Sequence, residues 1–458
     1  MTKPGARSEG ISYQALLDSD SHPVPKVLRI EASIRPGVQK VPTERYTSAA
    51  FHAIEREKLW KRVWQMACRE EDVPEVGDHL VYDVAGLSFL IVRSAPDEIR
   101  AYWNACLHRG RQLRECSGRA PELRCAFHGW AWNLDGSLKQ VPCQWDFPKV
   151  DAKGYRLPEA KVGRWGGFVF IHPDPKAESL EKYLGELPRQ FERWPLEERY
   201  KEAHVAKVLR CNWKVAQEAF MEAYHVVATH PQLLAGIGDA NSQYDVFGNI
   251  SRAITPNGTP SPHLTWQPSE QDMLDAMLDR NLDDKPMLVV PPGSTARETA
   301  ARLRRELMRP VLGAAADELC DAELDDSFYY TVFPNFHPWG AYNRIVYRFR
   351  PHGNDHRQSI MECMYLAPFV GERPPAAPIH WLGADDDWTD APELGFLARV
   401  FNQDVFNLEK VQAGLETLKK PEIVLASYGE TKLRHFHQLY DGMLGAEARS
   451  RKPSRGPR

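Results

Sequence analysis

Two short segments carry the residues best suited to chemistry, Cys106-Leu107-His108 and Cys125-Ala126-Phe127-His128, with sixteen residues between His108 and Cys125. Each puts one thiolate and one imidazole on a tight loop. Two cysteines and two histidines in this order suit a [2Fe-2S] centre in which two thiolates hold one iron and two imidazoles the other, a carrier of single electrons. Structural zinc accepts the same four side chains, but zinc modules usually cluster like ligands, C-x2-4-C followed by H-x3-5-H. The mixed order on each loop favours iron–sulfur. A zinc-stabilised binding module is the rival, and it predicts a colourless protein.

A second constellation runs from Asn212-Trp213-Lys214 to Tyr224-His225 and His230. The apolar pattern predicts a helix over Asn212–Ala228, on which Glu218, Glu222 and His225 share a face through i+4 and i+3 spacing. Pro231 disfavours helix at His230, so the helix is expected to loosen before it. Two imidazoles and one carboxylate from elsewhere form a facial triad that leaves open positions on Fe(II) for dioxygen. A helix with two ordinary histidines is the plain alternative.

The elements that must position these groups fall into two regions. From about residue 46 to 172 the pattern, after a helix near Ser48–Val63, is of short strands: Asp78–Val84, a turn at Ala85-Gly86, Leu87–Val92, Arg100–Asn104 and Gly166–Ile171. Both Cys/His loops lie on this β region, where a rigid scaffold can hold a site. After His172-Pro173-Asp174-Pro175 the character changes. Leu180–Glu198, Glu298–Met308 and Gly395–Leu418 read as helices, and Ala203–Leu209, Phe328–Pro334 and Arg344–Arg350 as strands. Gly236–Gly258 and Ser261–Asp283 look irregular and could form a lid. The basic tail beyond residue 445 reads as a solvated, disordered end.

Composition bounds the partners. At 458 residues the chain has room for two domains, and its 43% hydrophobic and 26% charged residues are ordinary for a globular protein. A net charge of −4 gives no case for nucleic acid or an anionic membrane. No apolar run approaches bilayer length, and Met1–Pro25 has no apolar signal core, so a cytoplasmic location is expected. The six other cysteines are scattered and suit reduced thiols.

The flanks Cys106-Leu107-His108-Arg109-Gly110 and Cys125-Ala126-Phe127-His128-Gly129-Trp130 resemble the Rieske loops of the Rieske non-haem iron oxygenases. The respiratory Rieske proteins add a disulfide between these loops, whereas Arg111 and Phe127 stand at its positions here. The Asn212–His230 stretch resembles the family's mononuclear iron motif. By that resemblance His225 and His230 are iron ligands. The third is Asp404, from the downstream pattern D-x4-E-x2-Q in Asp404, Glu409 and Gln412. Two residues depart from the family: Ala219 stands where ring-hydroxylating dioxygenases often place Asn near the iron, and Glu222 replaces the usual Asp three positions before the first histidine, as in carnitine-type oxygenases. In the family that carboxylate joins a Rieske-ligand histidine of one subunit to an iron-ligand histidine of the next, and Glu222 is expected to do the same.

The resemblance covers about residues 46–418. It implies an α+β chain, with an all-β Rieske domain at 46–172 and a helix-grip, START-like catalytic domain with an antiparallel sheet at 173–445. Residues 1–45 are expected to pack on the catalytic domain, and 446–458 to be the disordered tail. It also implies the terminal component of a multicomponent system. NAD(P)H electrons reach the [2Fe-2S] centre through a reductase, with or without a ferredoxin, and pass to Fe(II), where O2 and an aromatic or alicyclic substrate react. A monooxygenase that demethylates or cleaves C–N or C–O bonds uses the same ligand set. An electron-transfer-only Rieske protein is the alternative outside catalysis. Head-to-tail assembly as a homotrimer is expected. Arg109, Arg111, Arg114, Arg119 and Arg124 crowd the inter-loop segment, as local ion pairs or as a basic dock for an acidic ferredoxin. Phe220, Met221, Val226 and Leu233 are candidate pocket residues.

Overall fold

The computed structural model describes residues 10–32, 37–151, 153–278 and 288–445. The expected basic tail lies outside them. Ala49–Tyr183 with Pro351–Asp355 forms one compact unit, and the other described residues form a second.

The smaller unit is built on a seven-stranded sheet in the order Gln65–Arg69, Phe168–His172, Glu159–Trp165, Glu98–Trp103, Leu87–Ala95, Asp78–Val84 and Gly118–Arg119. A three-stranded sheet of Leu123–Arg124, Ala131–Trp132 and Leu138–Gln140 accompanies it. The hairpin between Asp78–Val84 and Leu87–Ala95 turns on Ala85 and Gly86, both at positive φ (49° and 70°), as a tight two-residue turn requires. Leu90, Val92, Tyr102, Leu123, Trp130 and Trp132 share one buried core with Cys106 and Cys125. The thiols are therefore rooted in the packed interior.

The larger unit holds an eight-stranded sheet. Its order is Gln243–Phe247, Ile250–Thr255, Ser327–Val332, Phe336–Pro338, Ile345–His352, Asp355–Pro368, Arg199–Leu209 and His380–Leu382. It is antiparallel, except that the edge strand His380–Leu382 runs parallel to Arg199–Leu209. The helices Ala296–Leu312, Leu397–Thr417 and Thr431–Leu444 are the longest. In Leu397–Thr417, Ala398, Phe401, Asp404, Leu408, Gln412 and Leu415 form the buried stripe, which places a carboxylate inside an apolar repeat. Residues near the N-terminus bond to this unit: Gln14 to Gln243, Ser21 to Asp321, and the Ala32 amide to Asp245.

Three expected elements differ. The segment Leu180–Glu198 holds two five-residue helices, Leu180–Leu184 and Leu187–Phe191, parted by Gly185 at φ 51°. The segment taken as irregular after Gly236 contains a sheet hairpin, Gln243–Phe247 with Ile250–Thr255, so this part is no lid. Its alternation is hidden because the buried positions Asp245 and Arg252 carry opposite charges, paired at 2.7 Å. Farther on, Ser269 and Asp272 form a capping box that starts the helix Glu270–Met277. The third difference is the helix expected over Asn212–Ala228, which breaks at the site itself.

Two candidate metal centres

Each Cys/His loop is closed by the same pair of backbone hydrogen bonds. The Cys106 amide donates to Arg111 O (2.8 Å) and Gly110 N to Cys106 O (2.9 Å). The Cys125 amide donates to Trp130 O (2.8 Å) and Gly129 N to Cys125 O (3.0 Å). Gly110 and Gly129 sit at φ 78° and 76°, where a side chain would strain the turn. The repeated turn brings His108 and His128 to 4.6 Å between ring centroids. The His108 ring stacks on Trp130 at 5.1 Å and meets Phe147 edge-on at 5.7 Å. Its Nδ1 is buried with no hydrogen-bond partner, as a metal-ligating nitrogen would be. Desolvation, the Arg109 charge and His108 hold the His128 pKa below the ordinary histidine range, which favours the neutral, ligating form. The donor set fits a Rieske centre.

Of the five arginines between the loops, Arg111, Arg119 and Arg124 pair with Glu115, Asp78 and Glu122, and Arg114 donates to backbone carbonyls. Arg109 lies over the Phe127 ring and 3.1 Å from His128 Nε2. Local pairing therefore accounts for most of the basic cluster.

In the larger unit, Asn212 caps the helix Trp213–Glu218 by accepting from Lys214 N, and its own amide donates to Gln412 Oε1 at 2.9 Å. That bond ties the start of the histidine-bearing segment to the helix that carries Asp404. After Glu218 the chain tightens into a 3-10 turn at Ala219–Met221 and becomes extended at Glu222 (φ −143°, ψ 169°). It re-forms one helical turn at Val226–Thr229. The break has a geometric cause. On a continuous helix, residues five apart point roughly 140° apart, whereas the His225 and His230 rings stand 5.3 Å apart. Glu218 accordingly leaves the expected shared face and bonds Tyr46 and His437 at 3.0 and 3.1 Å.

One ligand atom each from His225, His230 and Asp404 lies within 4.8 Å of the other two. Asp404 Oδ1 is 3.0 Å from His230 Nε2 and 3.6 Å from His225 Nε2. Both Nδ1 atoms are tied elsewhere: that of His225 to Glu222 Oε1 (2.7 Å), that of His230 to Gln403 Oε1 (2.8 Å). Glu222 also accepts the His225 backbone amide at 3.0 Å. Such partners fix the tautomer and aim Nε2 at a metal. Burial disfavours the His225 imidazolium, but the charge and hydrogen bond of Glu222, with Asp404, hold its pKa above the ordinary value. Two imidazoles and a carboxylate fit Fe(II). Gln403 went unnoticed in the sequence, although it directly precedes Asp404. Among the pocket candidates, Phe220 joins Tyr347, Phe349 and Phe401 in a ring cluster beside the triad, while Val226 and Leu233 pack with Ala223 and Leu234. Met221 is fully buried.

The model of the ring hydroxylating alpha subunit catalytic domain matches residues 189–446, and that of the Rieske [2Fe-2S] domain matches residues 63–151. The chain thus belongs to the Rieske ring-hydroxylating oxygenase alpha subunits, whose two domains bind a [2Fe-2S] cluster and a mononuclear iron. The zinc module and the carrier without a second site are thereby set aside. Relatives include chloroplastic choline monooxygenase of Beta vulgaris, 29% identical over 195 residues, 41% of this chain and 44% of that protein. Chlorobenzene dioxygenase subunit alpha of Cupriavidus sp. is 31% identical over 203 residues, 42% and 45% of the two chains. The carnitine monooxygenase oxygenase subunit of Escherichia coli is 28% identical over 200 residues, 42% and 52%. Each alignment therefore spans only about half of the relative's length. The fold is shared with a quaternary ammonium Rieske monooxygenase bound to L-carnitine, with TM-score 0.63, 18% identity, and 89% of this chain and 96% of that one covered. It is also shared with naphthalene 1,2-dioxygenase from Rhodococcus sp., with TM-score 0.59, 21% identity, and 89% and 95% covered.

Proposed function

We propose that this protein is the terminal oxygenase of a multicomponent system and hydroxylates an aromatic or alicyclic substrate. The observation that carries this reading is the convergence of His225, His230 and Asp404, with both Nδ1 atoms tied back, in a chain that also has a Rieske domain. When bound, the cluster would supply single-electron transfer from a reductase, with or without a ferredoxin, and the mononuclear iron would supply dioxygen activation. Cys106, His108, Cys125 and His128 would hold the cluster, and His225, His230 and Asp404 the mononuclear iron. Glu222 and Gln403 orient the two imidazoles, and the rings of Phe220, Tyr347, Phe349 and Phe401 keep the adjacent space apolar and exclude water. An oligomer, expected as a head-to-tail homotrimer, is supported by large apolar side chains left exposed near both centres. Phe127 (56%) and Trp145 (81%) flank the Cys/His loops, and Tyr224 (61%) and Phe406 (67%) flank the triad. No helix among the described residues is long and apolar enough to cross a membrane, in keeping with a cytoplasmic enzyme.

A monooxygenase that demethylates or cleaves a C–N or C–O bond is the second reading. Glu222, the carnitine-type residue at its position, favours it. The test of both is a substrate screen with labelled dioxygen in the protein reconstituted with a reductase. Label in a product supports the oxygenase; a labelled hydroxyl kept on the intact substrate skeleton supports hydroxylation, and release of an amine, alcohol or aldehyde fragment supports the cleavage reading. Absence of label from every product refutes both. Light scattering tests the trimer, and a monomer that turns over would refute it.

A further inference from the structure

Away from the two centres, the larger unit buries two hydrogen-bond donors that meet no acceptor among the described residues, beside a lysine with a single acceptor and no carboxylate partner. Lys432, on the helix Thr431–Leu444, is fully buried. Its ammonium donates to Tyr329 O at 2.8 Å and lies 4.6 Å from the Tyr329 ring. Burial alone acts on it and holds its pKa well below the ordinary lysine value, with no carboxylate opposing. Gln217 is fully buried, and its Nε2 has no partner among the described residues, while its Oε1 faces His337 Nε2 at 3.3 Å. The Trp339 Nε1 is likewise buried and unpartnered.

Shared neighbours link these groups. The Trp339 ring stands 5.6 Å from Tyr329, the residue that holds Lys432. Lys432 also acts electrostatically on His337, the residue against Gln217. On its other side Trp339 is 6.0 Å from Tyr347, which contacts Phe220 and Phe401 at 5.2 and 5.8 Å. Phe401 precedes Asp404 by one helical turn. Apolar rings thus lead from the triad toward Trp339 and the Lys432 held by Tyr329.

An unmet buried donor costs about 1–3 kcal/mol, and burial disfavours the Lys432 ammonium until an anion pairs with it. A bound anion supplies the missing acceptors and the counter-charge together. We propose that the substrate carries a carboxylate, held by Lys432, Gln217 and Trp339, while its hydrocarbon part lies on Phe220, Tyr347 and Phe401 toward the triad. This rests on the oxygenase reading and narrows it to aromatic or alicyclic acids. A neutral hydrocarbon would leave Gln217 Nε2 and Trp339 Nε1 unmet and Lys432 without a counter-charge, so the site discriminates by charge as well as by shape.

Calorimetric titration of the holoprotein tests this with benzoate, 3-phenylpropionate and cyclohexanecarboxylate, each against its amide. At least one acid should bind roughly tenfold or more tightly than its amide. Lys432→Met and Gln217→Leu should each remove most of that preference, weakening the acid by more than the amide. The proposal is overturned if no acid binds more tightly than its amide in the wild-type protein, a comparison that needs no variant to fold. It is also overturned if folded Lys432→Met keeps the preference. Binding is read without turnover, and iron content separately. A protein that holds both centres but ignores the carboxylate defeats this proposal alone, whereas a His225–His230–Asp404 site that binds no iron defeats the oxygenase reading.

Discussion

Replacing Glu222 by alanine removes two hydrogen bonds to one residue, those to the His225 backbone amide at 3.0 Å and to its Nδ1 at 2.7 Å. The second orients the ring. A hydrogen bond to a charged group contributes about 1.5–3 kcal/mol, and loss of a ligand's orienting partner typically weakens metal binding by roughly 10–100-fold, or about 1.4–2.7 kcal/mol. Partial exposure of the His225 side chain, 26%, places the expectation toward the lower half of that range. Glu222→Gln keeps an acceptor for Nδ1 but no charge, and should fall between the wild-type and alanine proteins. Cobalt(II) titration of the apoprotein against a competing chelator measures the affinity, with the reduced EPR signal of the cluster as an unaffected reference. At saturating iron the alanine protein should fill both centres yet lose coupled turnover. Alanine and wild-type proteins of equal cobalt affinity, or a glutamine protein weaker than the alanine one, would refute the positioning role. Turnover at the wild-type rate would refute the bridge between subunits.

Gln403→Leu should weaken metal binding at the triad by about tenfold, because the buried His230 Nδ1 loses its acceptor. The same cobalt titration reads this, and Gln403→Glu should restore the affinity. Cys125→Ser should abolish the visible absorption and the reduced EPR signal and lower iron from about three to about one per chain; metal analysis that still finds about three contradicts the cluster assignment. Burial holds the His337 pKa well below the histidine value and, opposed by Glu218, lowers that of His437. Above about pH 6.5 neither the folded nor the unfolded chain protonates them. As pH falls through 6.5, the unfolded chain takes up protons that the folded one refuses. Stability should then drop by up to about 1.4 kcal/mol per pH unit for each histidine. Urea midpoints at pH 7.5 and 5.5 check this, and equal values would contradict it.

The strands around Ala85-Gly86 and the amphipathic helix Leu397–Thr417 were legible because local alternation, turn residues and a 3.6-residue apolar repeat all agree there. The hairpin Gln243–Phe247 with Ile250–Thr255 was not, because its buried face carries Asp245 and Arg252, whose charges cancel only when the strands pair. The break at Glu222 was hidden for a similar reason. The chain from Asn212 to Ala228 has helical propensity throughout, and only convergence of His225 and His230 on Asp404 overrides it.

Ligand types and their spacing are local properties, so the sequence alone offered the two Cys/His loops and the histidine pair, whereas Asp404 was reached through the family resemblance. Which ring nitrogen faces the metal depends on what the other nitrogen meets. For His230 that is Gln403, 173 residues away. The unmet donors of Gln217 and Trp339, and the buried Lys432 without a counter-charge, likewise exist only once the sheet and the C-terminal helix are packed. Burial removes the water that would satisfy them, and no residue type or spacing records that loss.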